Sequence, residues 1–276
     1  MPEGDTVFKL VRYLQPELCQ RVLRRGHARA TAGVARETDL AGRRIEDVHA
    51  RGKHLFIAFD DGRLLRSHLG MWGSWHAYAP GEAWRRPAAR AGIVLDTGER
   101  VFVCFNPQQV ELLRRNGVRD HTLRETIGPD LLDPQIDPAV ILPRARALAG
   151  PDALLIDVLL DQRIASGIGN VYKSELLFLA GYHPATRLQG LDDEALLALY
   201  RRAGQLLGGN IAGGPRITRR ANDEAGILWV YGRTGQPCHR CDRVIRSAHL
   251  GRGMRSTYWC PACQPSAGEA EEPRGR

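Results

Sequence analysis

Apolar residues at Val7, Leu10, Val11, Leu14 and Leu18 recur at the spacing of a single helix face. The chain therefore opens on an amphipathic helix starting near residue 5, with Asp5 placed to cap its first turn. The period then shortens to two. Alternating or wholly apolar runs at 44–49, 54–59, 63–69, 72–78, 92–96 and 101–105, punctuated by Asp61-Gly62 and Thr97-Gly98, predict an antiparallel sandwich or barrel within residues 20–105. Residues 120–137 contain Gly128-Pro129-Asp130 and Asp133-Pro134 without a clear period and read as a linker with turns. Helical spacing returns at 139–148, 153–160, 170–180 and 192–207, the mark of a second, mostly helical domain. Further on, Val244-Ile245-Arg246 and Ser256-Thr257-Tyr258-Trp259 form a predicted hairpin around Gly251-Arg252-Gly253, with Arg255 near its tip.

A chain of 276 residues has room for two domains and a sizeable core. It contains no run of 18 apolar residues and no signal-peptide pattern, so the expectation is a soluble cytoplasmic protein. Six cysteines in that compartment point to metal ligation or free thiols, not to disulfides. The net charge of +8 and the pI near 9.5 suit a polyanionic partner. Between residues 214 and 263 there are nine Arg against three acids, an excess of six. Only three of the 39 basic residues are Lys: Lys9, Lys53 and Lys173. In a chain so biased to Arg, a Lys is a position where an ammonium is wanted.

The candidate chemistry starts at Met1-Pro2-Glu3-Gly4. Removal of Met1 leaves Pro2 with a free secondary amine of pKa about 8, partly unprotonated and nucleophilic at neutral pH. Its adduct with an aldehyde carbon is a permanently cationic iminium, an electron sink suited to elimination, and Glu3 stands beside it. By itself, Met-Pro is also simply a start that permits trimming. Arg51-Gly52-Lys53-His54 places an ammonium between a glycine turn and a strand, as a phosphate contact or as a solvated turn residue. In Ser67-His68-Leu69-Gly70-Met71-Trp72-Gly73 a large apolar pair sits between glycines, either as a wedge for unstacked bases or as a lid on the sandwich core. Gly167-Ile168-Gly169-Asn170 joins two helices; Asn170 either caps the second or, with the helix N–H groups, receives a phosphate.

Cys238-His239-Arg240-Cys241 and Cys260-Pro261-Ala262-Cys263 are separated by 18 residues, a four-cysteine zinc spacing. Such a closed site makes the metal structural, one Zn²⁺ per chain. A hairpin held by zinc and carrying Arg255 suits phosphate, whose geometry a guanidinium matches.

Together these segments resemble the formamidopyrimidine-DNA glycosylase and endonuclease VIII family. The likeness runs from Pro2 to Gln264 through Met1-Pro2-Glu3-Gly4, Gly52-Lys53, Gly167-Ile168-Gly169-Asn170-Val171-Tyr172, Val230-Tyr231-Gly232-Arg233 leading into Cys238 and Cys241, and Arg255-Ser256-Thr257-Tyr258-Trp259-Cys260-Pro261-Ala262-Cys263-Gln264. It implies a multidomain α+β fold. Residues 1–120 would be an N-terminal helix with an antiparallel β-sandwich, 121–137 a linker, 138–228 a helix-two-turn-helix domain, 229–264 a zinc-finger hairpin and 265–276 a disordered tail.

The implied activity is bifunctional: a DNA glycosylase and AP lyase of base excision repair, a monomer working on damaged DNA in the cytoplasm, nucleoid-associated, with no membrane. Pro2 would attack the sugar carbon, Glu3 would serve as acid and base, and Lys53 would contact phosphate. Asn170 and Arg255 match the family's phosphate clamps, and Met71 would fill the void left by the extruded nucleotide. The Met-Pro-Glu-Gly start is the endonuclease VIII form, associated with oxidised pyrimidines, whereas Leu69-Gly70-Met71 resembles the formamidopyrimidine branch. That branch usually places Arg and Phe after an Asn-Asp-Pro turn; here Asn106-Pro107 is followed by Gln108, Gln109 and Val110. Thr6 stands where many members carry a second Glu. Residues 215–226 are short for a loop that caps 8-oxoguanine.

Overall fold

The computed structural model describes residues 2–31, 37–221 and 226–266. The chain forms two compact units that divide between Thr126 and Ile127.

The first unit opens with α1 (Gly4–Leu18) and continues through β1 (Arg25–Arg29), β2 (Glu37–Asp39), β3 (Ile45–Arg51), β4 (His54–Phe59), β5 (Arg63–His68), β6 (Ser74–Tyr78), β7 (Ala91–Asp96), β8 (Val101–Phe105) and β9 (Gln109–Arg114) to α2 (Val118–Thr126). Its strands make two antiparallel sheets, ordered β2-β1-β7-β8-β6 and β3-β4-β5-β9. Ile93, Leu95 and Phe102 of the first sheet meet Val48, Leu55, Ile57 and Leu65 of the second in one core, which also takes Val7, Leu14 and Leu18 from α1. This is the predicted sandwich with its N-terminal helix. Burying those three α1 side chains contributes roughly 5 to 9 kcal/mol of gross hydrophobic stabilisation, before the entropy of ordering the helix is subtracted.

Three features differ from the sequence expectation. Asp5 does not cap α1: the helix begins at Gly4 with Glu3 as its N-cap, and the Glu3 carbonyl accepts from the N–H groups of Thr6 (3.0 Å) and Val7 (3.1 Å). Asp5 is buried inside the first turn, beside the Thr6 hydroxyl and the Lys9 ammonium. Strands β1, β2 and β9 lie outside the predicted runs; β1 and β2 are short and largely polar, so they carry no apolar alternation. The stretch read as linker from residue 121 is helical through Thr126. α2 buries only Asp120 and Leu123, too few apolar positions to show a period.

The second unit contains α3 (Ile141–Leu148), α4 (Leu155–Leu160), α5 (Asn170–Ala180), α6 (Asp193–Gly208) and a hairpin of β10 (Arg246–Leu250) with β11 (Arg255–Trp259). The helices fall where the 3.6-residue period placed them, and Asp192 caps α6 by accepting from the Ala195 N–H at 2.7 Å. Their core is built from Leu155, Leu159, Ile164, Ile168, Leu176, Leu199 and Leu207 around Tyr172 and Tyr200. The two turns between α4 and α5 are tied by one side chain. The Gln162 amide donates to the carbonyls of Leu160 (2.8 Å) and Ile168 (3.0 Å) and accepts from the Gly167 N–H (3.1 Å).

The cysteine-bearing segment packs Val230, Ile245, Cys238 and Cys260 against Phe178 of α5. Glu175, fully buried on α5, holds its base: one carboxylate accepts from the N–H groups of Trp229 (2.8 Å), Val230 (2.9 Å) and Tyr231 (2.8 Å) and from the Thr218 hydroxyl. Of the predicted tail, residues 267–276 lie outside the described residues, as do 222–225 of the loop and Met1.

A Glu175→Ala change leaves one buried and two part-buried N–H groups without an acceptor and is expected to cost about 3 to 5 kcal/mol. Denaturant titration monitored by Trp229 fluorescence checks it; a loss below 1 kcal/mol would mean that this carboxylate does not hold the finger.

Candidate active-site residues and the four-cysteine centre

In the first unit, Pro2 is half-buried and immediately precedes Glu3, which is fully buried at the N-cap of α1. The helix end attracts negative charge, so the carboxylate sits where the backbone dipole favours it. α1 packs on β3, and the far end of β3 turns into β4 through Gly52-Lys53, with Arg51 paired to His54. Gly52 has φ +58°, the left-handed conformation that the first position of a two-residue hairpin turn requires. Lys53 is thereby fixed to a rigid strand pair.

Beside Lys53 lies a polar cluster that sequence reasoning left without a role. The rings of His54 and His68 are 4.9 Å apart on neighbouring strands, and Arg66 approaches His54 Nδ1 at 3.2 Å while its other nitrogen donates to Glu111 at 2.8 Å. Burial, and then the cationic Arg66 and Lys53, push His54 down to about 2; burial, Lys53 and Arg66 push His68 down to about 4, against a hydrogen bond that its ring donates to the Gln108 side chain and that favours the protonated form. Both rings are therefore neutral at physiological pH. His68 Nδ1 accepts from the Gly70 N–H at 3.1 Å, which assigns its proton to Nε2. The signal in the sequence was the placement of both histidines next to segments already singled out, Gly52-Lys53 and Leu69-Gly70-Met71.

The apolar pair does not cap the sandwich core: Met71 and Trp72 stand 54% and 75% exposed, and the residue of this turn that is buried in the core is Leu69. The turn is tight, with Gly73 N–H donating to Leu69 O at 2.9 Å and no room at Gly73 for a Cβ, which would lie 2.4 Å from that oxygen. Gln108 and Gln109, which stand in place of the expected Arg and Phe, reach back into the histidine cluster. The Gln108 N–H donates to His68 O at 2.9 Å, and the Gln109 amide oxygen accepts from Arg66 at 3.2 Å.

In the second unit, Asn170 is the first residue of α5 and Gly169 is its N-cap, so Asn170 is not the predicted cap. Its amide nitrogen instead donates to Ser256 O at 2.8 Å, next to the exposed Arg255 at the start of β11. The structure thus ties Asn170 to the backbone of the residue that follows Arg255. The hairpin tip is held as well: the Asp157 carboxylate of α4 accepts from the Arg252 N–H at 3.0 Å, with Gly251 packed so closely that a Cβ would lie 2.4 Å from that oxygen.

Cys238, Cys241, Cys260 and Cys263 are all free thiols, and their four Sγ atoms lie within 4.8 Å of one another. Individual separations are 3.4 Å for Cys241 to Cys260, 3.5 Å for Cys241 to Cys263 and 3.9 Å for Cys238 to Cys263. Ligands about 2.3 Å from a tetrahedral centre stand about 3.8 Å apart, so the donor set fits a metal ion. Gln264, fully buried, closes the site from behind by accepting from the Cys260 N–H and donating to Tyr182 O.

The sequence pattern of the formamidopyrimidine-DNA glycosylase N-terminal domain matches residues 1–109, and that of the formamidopyrimidine-DNA glycosylase H2TH domain matches residues 127–221. The chain belongs to the formamidopyrimidine-DNA glycosylase family. Among its relatives, a protein of Streptomyces coelicolor named a probable endonuclease 8 2 is 41% identical over 100% of this chain and 98% of its own length. The DNA-(apurinic or apyrimidinic site) lyase Nei2 of Mycolicibacterium smegmatis is 37% identical, over 97% of this chain and 100% of its own. In fold, the chain is similar to MutM in a complex with carbocyclic 8-oxo-G containing DNA, at a TM-score of 0.79 and 24% identity, covering 96% of this chain and 100% of that one. The same TM-score of 0.79, identity of 24% and coverage of 96% and 100% hold for the Lactococcus lactis enzyme in a complex with an oxidised pyrimidine containing DNA. No helix among the described residues is long and apolar enough to cross a membrane.

The two neutral histidines have a consequence for stability in acid. Because their folded pKa values lie below the ordinary value of 6.5, stability is intact above pH 6.5 and falls as the unfolded chain takes up protons that the folded rings refuse. The loss is at most roughly 1.4 kcal/mol per pH unit for each ring, over the window from 6.5 down to about 4 for His68 and further for His54. Denaturation of wild type and of a His54→Gln variant between pH 7 and 4.5 should show the variant with a slope shallower by up to about 1.4 kcal/mol per pH unit. Parallel slopes would show that the rings are not held neutral.

Proposed function

We propose that the chain is a bifunctional DNA glycosylase and AP lyase of base excision repair that removes oxidised bases, pyrimidines foremost. Once Met1 is removed, the Pro2 nitrogen attacks C1′ of the damaged nucleotide, the glycosidic bond breaks and the base departs with a proton. The resulting iminium between Pro2 and the opened sugar withdraws electrons. Loss of a C2′ proton then expels the 3′ phosphate, and a second elimination expels the 5′ phosphate. Glu3 handles protons at the sugar, and Lys53 binds phosphate beside it.

The observation that carries this reading is the seating of Pro2 directly ahead of a fully buried glutamate at the start of a core helix. Termini ordinarily fray; this one is held where its amine can be aimed. Asn170 and Arg255 receive the backbone of the damaged strand, and Met71, with Trp72 beside it, occupies the space of the extruded nucleotide. The four cysteines hold one Zn²⁺, which braces the Arg255 hairpin and takes no part in the reaction. The protein acts as a monomer in the cytoplasm, on nucleoid DNA. The preference for pyrimidines is supported by the Met-Pro-Glu-Gly start and by the names of the endonuclease 8 relatives.

Borohydride is expected to trap a covalent complex with abasic DNA through residue 2, and a chain extended ahead of Pro2 should trap nothing while still binding. Thymine glycol should be excised at least about tenfold faster than 8-oxoguanine from matched duplexes; the reverse order would assign the purine lesion. Neutralising about five phosphates gives a log-log salt slope of roughly −4 to −5, reduced by about one in an Arg255→Ala variant. Elemental analysis should find one zinc per chain, and a Cys260→Ser variant should lose the metal together with most of its affinity for DNA. Full binding by the metal-free protein would remove zinc from this account.

A further inference from the structure

Of the three lysines in this chain, Lys9 pairs with Asp5 and Lys53 closes a hairpin, but Lys173 lies at 0% exposure in the first turn of α5. That placement is unfavourable twice over. Burial strips the ammonium of water, and the N-terminus of a helix repels a cation. The offset comes from three converging oxygens: Asn170 Oδ1 at 2.7 Å, Thr257 Oγ1 at 2.7 Å and the Ser256 carbonyl at 3.2 Å. The same Ser256 carbonyl also receives the Asn170 amide nitrogen at 2.8 Å. With its oxygen taken by Lys173 and one amide hydrogen by Ser256, the Asn170 side chain is locked in one orientation, and its second amide hydrogen points in a fixed direction. Arg255 is covalently next to Ser256, so the same contacts fix the start of its strand.

We propose that Lys173 is the positioning residue of the phosphate-receiving pair: its buried ammonium orients the Asn170 amide and anchors β11 so that Asn170 and Arg255 meet a DNA phosphate. The inference rests on the reading of the chain as a DNA glycosylase and lyase. Lys173 itself touches no phosphate, since its nitrogen is enclosed by protein oxygens.

The test uses full-length protein and a duplex carrying a tetrahydrofuran abasic analogue, with binding read by fluorescence anisotropy over a salt series. Lys173→Met should weaken binding by about 10- to 100-fold, the range for losing charge-assisted hydrogen bonds, and shift the salt slope by less than about half a unit. In an Asn170→Ala background the same change should cost no more than about threefold, the share that acts through Arg255, because the amide it orients is already gone. Borohydride trapping at saturating abasic DNA should keep a rate within about threefold of wild type, with the loss confined to subsaturating DNA. Thr257→Val, isosteric at a fully buried position, removes one of the three oxygens and should show a smaller loss that also shrinks in the Asn170→Ala background; it decides the matter if Lys173→Met does not fold. Multiplicative losses in the double variants, a slope reduced by a full unit, or affinity within twofold of wild type would each overturn the proposal. Should wild type itself neither trap nor bind, the functional reading fails, whatever the variants do.

Discussion

Everything proposed for the first unit depends on the burial of one helix face. Val7, Leu14 and Leu18 are buried in the core shared by the two sheets, and the helix they belong to begins two residues after Pro2. A terminal amine on a frayed end has the right chemistry and no address. Here the apolar contacts that stabilise the sandwich also immobilise Glu3 at the N-cap, leaving Pro2 a single residue of freedom. On the proposed chemistry, packing energy is thus converted into the placement of a nucleophile, and the reaction needs no side chain to supply one.

The parts of this arrangement that sequence displays are those with a period or a fixed spacing. The helix faces, six of the nine described strands of the first unit and the four-cysteine set were legible because apolar positions recur at 3.6 or 2 and metal ligands recur at set intervals. Short polar strands such as β2, and α2 with its two buried residues, leave no such trace. The neutral histidines could not be read either, since neither ring is unusual locally; only the register of β4 against β5 sets them face to face and beside Arg66. Asn170 shows the same limit in another form. Its sequence context suits a helix cap, and only the approach of Ser256, 86 residues away, gives its amide a different partner.

In the second unit, α5 carries two buried charges of opposite sign two residues apart, and each gathers a different part of the cysteine-bearing segment. Glu175 collects three N–H groups from the entry to that segment, and Lys173 collects oxygens from β11. Surface Arg–carboxylate pairs such as Arg63–Asp61 and Arg201–Glu194 add little, being solvated and screened. Buried charges that satisfy several backbone groups at once act differently, because removing one strands all of its partners in a dry environment. A metal ion held by the four cysteines would fix the finger internally; α5 fixes it to the helical core.

The scarcity of lysine then acquires a physical meaning. Arginine serves wherever a planar fork against carboxylate or phosphate is wanted, which covers most of this basic surface. A guanidinium at position 173 would direct its N–H groups in one plane, whereas the three oxygens of Asn170, Ser256 and Thr257 converge on a single point. An ammonium offers three donors from one small atom that rotates to suit them. Arg bias elsewhere and Lys at this site are therefore consistent with one rule: the cation is chosen by whether its acceptors lie in a plane or meet at a point.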